Sequence, residues 1–536
     1  MMIEYFRERK KIILFAVIVM AITLIPYLIG YAQQGEEWRY TGFTIGVEDG
    51  NSYLAKMLSG ASGNWLFRSP HSAIDQKGVV AFLPYIILGK LAAGTAQHDQ
   101  LIVLYHLARL VFGGFAILAT YDFISIFLKK ENLRWWALML ITLGGGLGWI
   151  LVAISQKDFL GSLPLEFISP ESFGFLGIFG FPHLAAARAF FLWGLFLFIK
   201  KKDGYLAGIL WLIMGFFQPM VVFIAWVVIG GYVITVVLVS YVDTKKSFCI
   251  SDEFIKNLFV KAIQAVLFSA PIAIYTAYIF LVDPYLKAWA VQNRVLSPHI
   301  IHYVIAYGLV LPFTISGVWN FIKAKKVESL LLASWLILSP ILIYAPVVTQ
   351  RRLAEGIWVV LILGLIGNYT ETGKIPTAIK GLGLTLLPST LFIVLGSIMM
   401  AANPSEPVFR NIDEVSAYEF IALSAEKDDI VLSSFQIGNN LPAWAPIRVV
   451  MGHGPETIGL IEIEERVNDY FNREGRHWEC GQIYSEFNVD YLFWGPVEQM
   501  TWNTDPMDYD CLTRIYNKGD YSIFEVDHQD VRNLPE

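Results

Sequence analysis

Residues 12–31, IILFAVIVMAITLIPYLIGY, are almost wholly apolar and follow the basic segment RERKK at residues 7–11. About 20 apolar residues suffice for a helix to span a bilayer, and cytoplasmic flanks are enriched in Lys and Arg. No small-residue cleavage site follows the run cleanly. We therefore expect an uncleaved first span with its N-terminus in the cytoplasm.

The composition extends this membrane character to the whole chain. Of 536 residues, 55% are hydrophobic and only 16% are charged, and the mean hydropathy is +0.52. Soluble domains carry about 25% charged residues, so the sequence predicts a polytopic membrane protein. The formal net charge is -6, and the basic residues lie in short clusters between apolar runs instead of in one patch. This distribution argues against a nucleic-acid partner.

Ten further apolar runs follow the first. They lie near 101–128, 135–154, 184–199, 204–217, 219–241, 258–282, 300–322, 328–346, 355–369 and 382–401. With the first run, they predict about eleven transmembrane helices. The run at 79–96, VVAFLPYIILGKLAAGTA, is not counted, because a span there would put every basic loop outside. It is predicted to lie in, or dip into, the membrane interface.

Basic clusters fall on alternate loops between these runs. They are Lys129, Lys130 and Arg134; Lys200, Lys201 and Lys202; Lys245 and Lys246; Lys323, Lys325 and Lys326; and Lys374 with Lys380. Cytoplasmic loops are rich in Lys and Arg, so these loops are predicted to be cytoplasmic. The outer face of the plasma membrane then carries the first loop (32–100), the loops at 156–183, 283–299 and 347–356, and the C-terminal residues. A bacterial or archaeal cell is the simplest setting.

The C-terminal residues 402–536 differ in pattern from the membrane part, 1–401. One helical stretch and three strand-like stretches alternate there, which indicates an α/β domain. The helical stretch is 413–425, and the strand-like ones are 429–434, 447–452 and 489–495. The predicted fold class is a polytopic α-helical membrane protein with about eleven transmembrane helices, interfacial helices and a C-terminal extracytoplasmic α/β domain.

Two adjacent carboxylates, Glu48 and Asp49, stand in the first outer loop within VEDGNSYLAKM (47–57). Apolar residues after them recur at helical spacing, which predicts a short helix along the membrane surface with Asp49 or Gly50 near its N-terminus. A carboxylate there can accept a proton from an attacking hydroxyl or amine. A solvated loop charge is the alternative interpretation.

Two adjacent arginines, Arg351 and Arg352, occupy the predicted outer loop VVTQRRLAEG (347–356), against the charge rule that the other loops follow. A guanidinium stays charged and binds phosphate through paired donors. The pair is therefore predicted to hold a lipid phosphate at headgroup depth. Snorkelling towards the interface is the alternative.

Two more arginines and a histidine lie within apolar runs, on their outer halves. Arg109 and Arg188 are predicted about two turns into their helices, and His183 begins one. Charges at such depth face a cavity or a partner. All three are candidates for binding a lipid-linked donor. The alternative for the arginines is a structural role, in which they pair with acids such as Asp122 or Glu166. The alternative for His183 is a helix-capping or interface role.

Four residues are weaker candidates for contact with a sugar or an acceptor. They are Trp289, Gln292 and Asn293 in the loop 283–299, and His453 in the C-terminal part. Most aromatic residues of the chain lie at predicted span ends, where an aromatic belt is expected. The glycines around His453 lack the GxGxxG spacing and a P-loop lysine, so that segment is interpreted as turns.

The three cysteines form no CxxC or Cys/His pattern, so no structural zinc is predicted. Cys249 follows a basic cluster and is expected to be a reduced cytoplasmic thiol. Cys480 and Cys511 lie together in the C-terminal part, where an extracytoplasmic location permits a disulfide. Two unpaired thiols are the alternative.

The pattern of these features resembles the GT-C superfamily of integral membrane glycosyltransferases, which includes protein mannosyltransferases, aminoarabinose transferases and oligosaccharyltransferases. The likeness covers about 400 residues in architecture and is carried by four stretches. They are VEDGNSYLAKM (47–57), the run at 79–96, DPYLKAWAVQNRVLSP (283–298) and TQRRLAEG (349–356).

This resemblance implies a polyprenyl-phosphate sugar donor, a lipid, glycan or protein acceptor on the outer face, and inversion at the anomeric carbon. It implies that Asp49 activates the acceptor, with Glu48 as a neighbour that assists or substitutes. It also implies that Arg351 and Arg352 stabilise the leaving phosphate.

The sequence departs from the family pattern in two places. The first two outer loops contain no DxD, and the C-terminal part contains no WWDYG-like stretch. Transfer of an oligosaccharide to asparagine is therefore disfavoured, and metal dependence is left open. The spacing of Asp49, Glu171 and His183 does not support a metal site, so no cofactor is predicted. A non-enzymatic translocator of lipid-linked sugar or polymer is the alternative function.

Overall fold

The computed structural model describes residues 9–94, 97–156, 158–242, 248, 250–472, 482–502 and 504–527. The chain forms two compact units, each assembled from three segments that are distant in sequence. The helical unit comprises Met1–Leu24, Leu107–Tyr278 and Arg294–Gly396. The loop-and-sheet unit comprises Ile25–His106, Ile279–Asn293 and Ser397–Glu536. The domain boundary expected near residue 402 stays a prediction.

Six helices within the described residues are long and apolar enough to cross a membrane. They are Lys10–Ala32, Gln97–Ile124, Pro182–Lys201, Pro219–Val242, Asp252–Val282 and Thr377–Ala402. A seventh span results if Ile300–Tyr307 and Leu311–Lys323, which are bent by 68° at their junction, cross as one. A π-helical turn, Leu197–Lys201, ends the third span, and the sixth consists of Thr377–Thr385 and Pro388–Ala402.

The predicted count of eleven spans is not confirmed. The apolar run at 135–154 breaks into Glu131–Leu143 and Trp149–Ala153, because three glycines follow the first helix and glycine is a poor helix former. Other runs form helices of 11 to 15 residues, namely Gly204–Phe217, Ser329–Ile343 and Ile357–Gly367. At a rise of 1.5 Å per residue, even the longest covers about 22 Å of a hydrocarbon core of about 30 Å.

Shorter helices complete the helical unit. They are Leu165–Ile168, Phe175–Gly180 and the 3-10 helix Gln350–Ala354.

The described residues of the loop-and-sheet unit form two sheets. In the first, β1 (Trp38–Tyr40) pairs antiparallel with β2 (Phe409–Asn411). The second has the strand order β4-β3-β5-β7-β6. Its strands are β3 (Ile430–Leu432), β4 (Arg448–Val449), β5 (Tyr491–Trp494), β6 (Leu512–Lys518) and β7 (Tyr521–Val526). β3 pairs parallel with β4 and with β5. β7 pairs antiparallel with β5 and with β6.

Apolar side chains cover both faces of the larger sheet. Successive residues of β5 alternate between the two: Leu492 packs with the helix Leu460–Asn472, and Phe493 packs with the helix Ile412–Ser424. A strand buried on both faces reads as a continuous apolar run, which is why β3 and β5 were predictable. The predicted helix at 413–425 and the three predicted strands are confirmed. The hairpin of β6 and β7 was missed, because β6 is largely exposed and polar.

Seven further α-helices and two 3-10 helices lie in the part of this unit that the structure describes. The α-helices are Val47–Ala61, Leu83–Gly89, Pro284–Gln292, Phe435–Asn440, Leu460–Asn472, Gln482–Phe487 and Pro496–Thr501, besides Ile412–Ser424, and the 3-10 helices are Leu441–Ala443 and Pro506–Asp508. Among the described residues, the run at 79–96 forms the seven-residue helix Leu83–Gly89, which is too short to span a membrane. Its location in the membrane interface stays a prediction.

Cys511 is buried and disulfide-bonded. Cys480, Cys249, Lys245 and Lys246 lie outside the described residues.

Candidate active site

The first-loop helix, Val47–Ala61, presents Glu48 and Asp49 in its first turn. Gly46 precedes the helix with a φ of 60°, a left-handed conformation that glycine adopts at little cost. Acidic side chains at a helix N-terminus are stabilised by the helix dipole. The Asp49 side chain is 53% exposed. The predicted helix and the place of Asp49 within it are therefore confirmed.

His453 lies between two carboxylates of the loop-and-sheet unit. Its Nε2 is 3.5 Å from Asp49 Oδ1, and its Nδ1 is 3.4 Å from Glu456 Oε1. The histidine side chain is 8% exposed and that of Glu456 only 3%. The imidazole thus separates a carboxylate that is open to water from one that is buried.

Glu456 is the centre of a buried polar cluster. Its Oε1 accepts hydrogen bonds from Lys56 Nζ and Ser52 Oγ, each at 2.6 Å, and its Oε2 accepts one from Ser69 Oγ at 2.7 Å. Burial alone would raise the pKa of Glu456, but the adjacent Lys56 ammonium and the hydrogen bond from His71 hold that pKa well below its usual range. Glu456 is therefore an ionised carboxylate inside the unit.

His71 lies on the other side of Glu456, with its Nδ1 3.6 Å from Glu456 Oε2. Its Nε2 is 3.3 Å from the carbonyl oxygen of Asn439, and the ring is buried. Burial lowers the pKa of His71, although Glu456 opposes that shift. Burial therefore favours the neutral ring, whose single N–H faces either the Glu456 carboxylate from Nδ1 or the Asn439 carbonyl from Nε2.

The loop that carries His453 and Glu456 is held by its backbone. Gln292 Nε2 donates to the carbonyl oxygens of Gly454, Pro455 and Thr457, at 2.9 to 3.2 Å. Tyr285 donates through its hydroxyl to the carbonyl of Glu456, at 2.8 Å. Gln292, which was predicted as a weak sugar contact, is thus occupied with fixing this loop.

Gly438 and Gly452 bring two backbone segments into direct contact. A Cβ on Gly452 would overlap the carbonyl of Gly438, and one on Gly438 would overlap the carbonyl of Met451. Neither backbone can turn away as a flexible side chain would. The close approach places His453 beside the helix Phe435–Asn440, which supplies the His71 acceptor Asn439.

Gly452→Ala is expected to destabilise the protein by about 1–3 kcal/mol, the usual cost of overpacking a closed contact. Gly454→Ala is the matched control, because a Cβ there meets nothing within 4 Å. Thermal unfolding of the purified variants in detergent measures the difference. Equal melting temperatures for the two variants would contradict the assigned contact.

Acidification is expected to remove the stability that ionised Glu456 contributes. Its pKa is lower in the folded protein than in the unfolded chain, where a glutamate titrates near about 4.3. The contribution is therefore complete above that unfolded value and is lost as the pH falls through the folded pKa. Melting temperatures between pH 6 and pH 3 should fall more steeply for the wild type than for Lys56→Met/Glu456→Gln. Parallel pH curves would contradict this assignment.

The arginine pair lies on the 3-10 helix Gln350–Ala354 of the helical unit. Arg351 donates its backbone N–H to the carbonyl of Val295, and Arg352 Nε is 3.9 Å from Glu171 Oε1. The Nε of Arg351 is buried and has no hydrogen-bond partner among the described residues. Burial lowers the pKa of Arg351, and Glu171 opposes that shift. Two guanidinium groups thus share one nearby carboxylate.

The two intramembrane arginines donate to protein acceptors in the helical unit. Arg188 forms a buried ion pair with Glu355, with Nε–Oε1 at 2.6 Å and Nη2–Oε2 at 3.1 Å. This acid differs from the predicted partners Asp122 and Glu166. Arg109 donates through Nη1 to Thr23 and to the carbonyl of Phe179. The arrangement favours the structural interpretation of both arginines.

The acids predicted as partners have other contacts. Asp122 binds Arg9 at 2.7 Å and the indole of Trp193 at 3.0 Å. Glu166 accepts from the backbone N–H of Gly148 at 2.6 Å, and burial raises its pKa to about 7.

The remaining predicted residues are placed as follows. His183 stands in the first turn of the helix Pro182–Phe196, with its ring 6.2 Å from that of Phe181. Trp289 packs against Phe280, at 5.6 Å between ring centroids. Asn293 is buried at the end of the helix Pro284–Gln292. Among the described residues, no three His, Cys, Asp or Glu side chains are arranged to hold a metal ion.

Comparison with known proteins gives structural similarity only. No family model and no curated protein matches the chain. The oligosaccharyltransferase of Archaeoglobus fulgidus is 13% identical, with a TM-score of 0.49 over 92% of this chain and 70% of that one. ArnT of Cupriavidus metallidurans is 11% identical, with a TM-score of 0.48 over 97% of this chain and 99% of that one. A second ArnT structure, with bound undecaprenyl phosphate, has 10% identity, a TM-score of 0.46 and coverages of 98% and 100%.

The chain is thus similar, at low identity, to the structures of an archaeal oligosaccharyltransferase and of ArnT.

Sequence reasoning missed the centre of the cluster: Lys56, His71 and Glu456. No local signal marked Lys56, because a residue two positions after Leu54 falls on the opposite face of the first-loop helix from the apolar residues, yet it is buried in the structure. The partner leaves no local signal either, since Glu456 is 400 positions away.

Proposed function

We propose that this chain is a membrane glycosyltransferase that moves a sugar from a polyprenyl-phosphate donor to an acceptor at the outer face of the plasma membrane. The acceptor is a lipid, a glycan or a protein, and the anomeric carbon is inverted. The Asp49 carboxylate takes the proton of the attacking hydroxyl or amine, and Glu48 assists. Arg351 and Arg352 stabilise the phosphate as it leaves with the bonding electrons.

The observation that carries the proposal is the half-exposed Asp49 carboxylate against His453, at the edge of the cluster formed with Glu456, Lys56 and His71. Buried ion pairs add little net stability, so fold stability alone gives weak reason for this concentration of charge. Perturbed titratable groups of this kind cluster at functional sites. A carboxylate open to water with an imidazole behind it is suited to general-base chemistry.

The arginine loop supports the donor half of the proposal. Arg351 and Arg352 carry two positive charges beside the carboxylate of Glu171, and the Arg351 Nε has no hydrogen-bond partner among the described residues. An anion with several oxygens would neutralise the excess charge and accept from that N–H. A lipid-linked phosphate meets this description.

The proposal includes the orientation of the chain in the plasma membrane. We place the N-terminus in the cytoplasm and the C-terminal α/β part outside. The disulfide at Cys511 supports this orientation, because disulfides persist in oxidising compartments.

Transfer from a radiolabelled donor tests the proposal. The purified protein in liposomes is supplied with polyprenyl-phosphate-linked sugars and a membrane extract that contains lipid, glycan and protein acceptors. We expect labelled product from the wild type. Labelled donor that crosses the bilayer without a new glycosidic bond would contradict the proposal and indicate a translocator.

Arg351→Ala/Arg352→Ala tests the donor half by the same assay. We expect transfer to fall at least about 10²-fold, because removal of one preorganised donor to a developing oxyanion costs that much. Arg294→Ala is the control, since this exposed arginine of the same unit lies outside the pair. Unchanged kcat and KM in the double variant would remove the arginines from the proposal.

A further inference from the structure

His453 has a geometry that an acceptor contact does not require. Its ring is almost wholly buried, and each nitrogen faces a carboxylate oxygen, at 3.5 Å for Asp49 and 3.4 Å for Glu456. These separations exceed an ordinary hydrogen bond by a few tenths of an ångström. Catalytic hydrogen bonds are often this long without substrate and tighten in the reacting complex.

The protonation pattern of the ring follows from its neighbours. Glu456 is ionised and fixed by Lys56, Ser52 and Ser69, so it can only accept hydrogen bonds. A neutral His453 therefore carries its proton on Nδ1, directed at Glu456. The Nε2 lone pair then faces Asp49, the partner that gains a proton during the reaction.

We propose that His453 is a positioning residue that also receives the acceptor's proton from Asp49, while Glu456 fixes its tautomer and stabilises the imidazolium. This inference rests on the proposed function. Aspartate is a weak base near pH 7, whereas imidazole is well matched to proton transfer there. By taking the proton from Asp49, the histidine disfavours its return to the acceptor.

The acceptor oxygen or nitrogen forms a bond to the anomeric carbon, and the bond from that carbon to the phosphate oxygen breaks. The phosphate leaves with the electron pair. The acceptor proton passes to an Asp49 carboxylate oxygen and then to His453 Nε2, giving an imidazolium between two carboxylates.

The charged surroundings of His453 suit a transient positive charge. Asp49 and Glu456 supply two negative charges, and Lys56 supplies one positive charge that is already bound to Glu456. His71, with its ring centroid 5.5 Å away, is the fourth ionisable neighbour and is neutral. With an imidazolium at His453, the two positive charges of His453 and Lys56 balance the two negative charges of Asp49 and Glu456.

The kinetic test compares the pH profile of kcat in the wild type and in His453→Gln. We expect kcat to fall about 10²-fold, the typical contribution of a positioned acid–base group, with the donor KM unchanged. The ascending limb of the profile should move to lower pH, because Asp49 alone then holds the proton. Asp49→Asn/His453→Gln should lose no more than Asp49→Asn, since the two act as one unit.

His98→Gln is the matched control. His98 is a buried histidine of the same unit that stacks on Trp444 and lies 2.9 Å from the Ala443 carbonyl. This substitution should leave the position of the limb unchanged even where it lowers stability. A His453→Gln enzyme within about twofold of the wild type, with its limb unmoved, would overturn the inference.

A titration separates this inference from the proposed function. NMR of histidine-labelled protein, with the His453 signal assigned by its loss in His453→Gln, follows the ring in the wild type and in Asp49→Asn. We expect the His453 ring signals of the two proteins to differ across the pH range, because the negative charge that faces Nε2 is removed in Asp49→Asn. An identical titration in both proteins overturns the inference whether or not sugar is transferred. Absent transfer with a coupled titration refutes only the proposed function.

Discussion

Asp49→Asn is expected to lower kcat for sugar transfer by about 10²- to 10⁴-fold, the range that a positioned general base contributes. Asparagine is nearly isosteric with aspartate but cannot accept the acceptor's proton. The side chain is half-exposed at a helix start, so membrane insertion and thermal stability should be close to those of the wild type. Initial rates at saturating donor and matched protein concentration measure the effect.

Two further variants serve as a control for Asp49→Asn and as a test of the neighbouring carboxylate. Asp75→Asn changes an exposed aspartate that lies, like Asp49, between the first two long helices, and it should leave kcat unchanged. Glu48→Gln decides whether Glu48 assists: a loss of tenfold or more would assign it a share of the base, and no loss would leave Asp49 as the sole carboxylate. Asp49→Asn with unchanged transfer and normal insertion would exclude Asp49 as the base.

Lys56→Met is expected to destabilise the protein by about 3–5 kcal/mol. Lys56 and Glu456 are 1% and 3% exposed, and their charged atoms are 2.6 Å apart. Breaking a buried pair leaves a charge without compensation, which costs more than the intact pair contributes. Methionine retains most of the apolar stem, so the lost volume is small. Chemical or thermal unfolding in detergent measures the change.

The double variant Lys56→Met/Glu456→Gln separates the charge from the packing. It removes both members of the pair, so no uncompensated charge is buried, and we expect it to recover at least half of the stability lost in Lys56→Met. Ser52 and Ser69 can still donate to the glutamine carbonyl oxygen. A double variant no more stable than Lys56→Met would contradict the assignment of the loss to the unpaired glutamate.

Several features of the site were accessible from local sequence. The first-loop helix was predicted from the spacing of its apolar residues, and its first-turn acids from their place before that pattern. The strands β3 and β5 were predicted because buried strands are continuous apolar runs. These patterns arise within a few residues, so the chain need not be folded to reveal them.

The span count could not be obtained in the same way. Hydropathy finds apolar runs, but buried helices of a large protein are as apolar as helices that face lipid. Ile357–Gly367 is buried along its whole length and is only 11 residues long. Its composition follows from contact with other helices, whereas its length follows from where the backbone turns.

The sequence by itself determined that this is a chain of apolar helices with an α/β part and that Asp49 begins a helix in the first loop. Only the tertiary structure decided that His453, Lys56, His71 and Glu456 share one cluster. Lys56 and Glu456 are separated by 400 positions, and close backbone contact between Gly438 and Gly452 fixes the loop that carries His453 and Glu456. A contact between distant residues imposes no periodicity on either segment, so it has no sequence pattern and appears only when the chain folds.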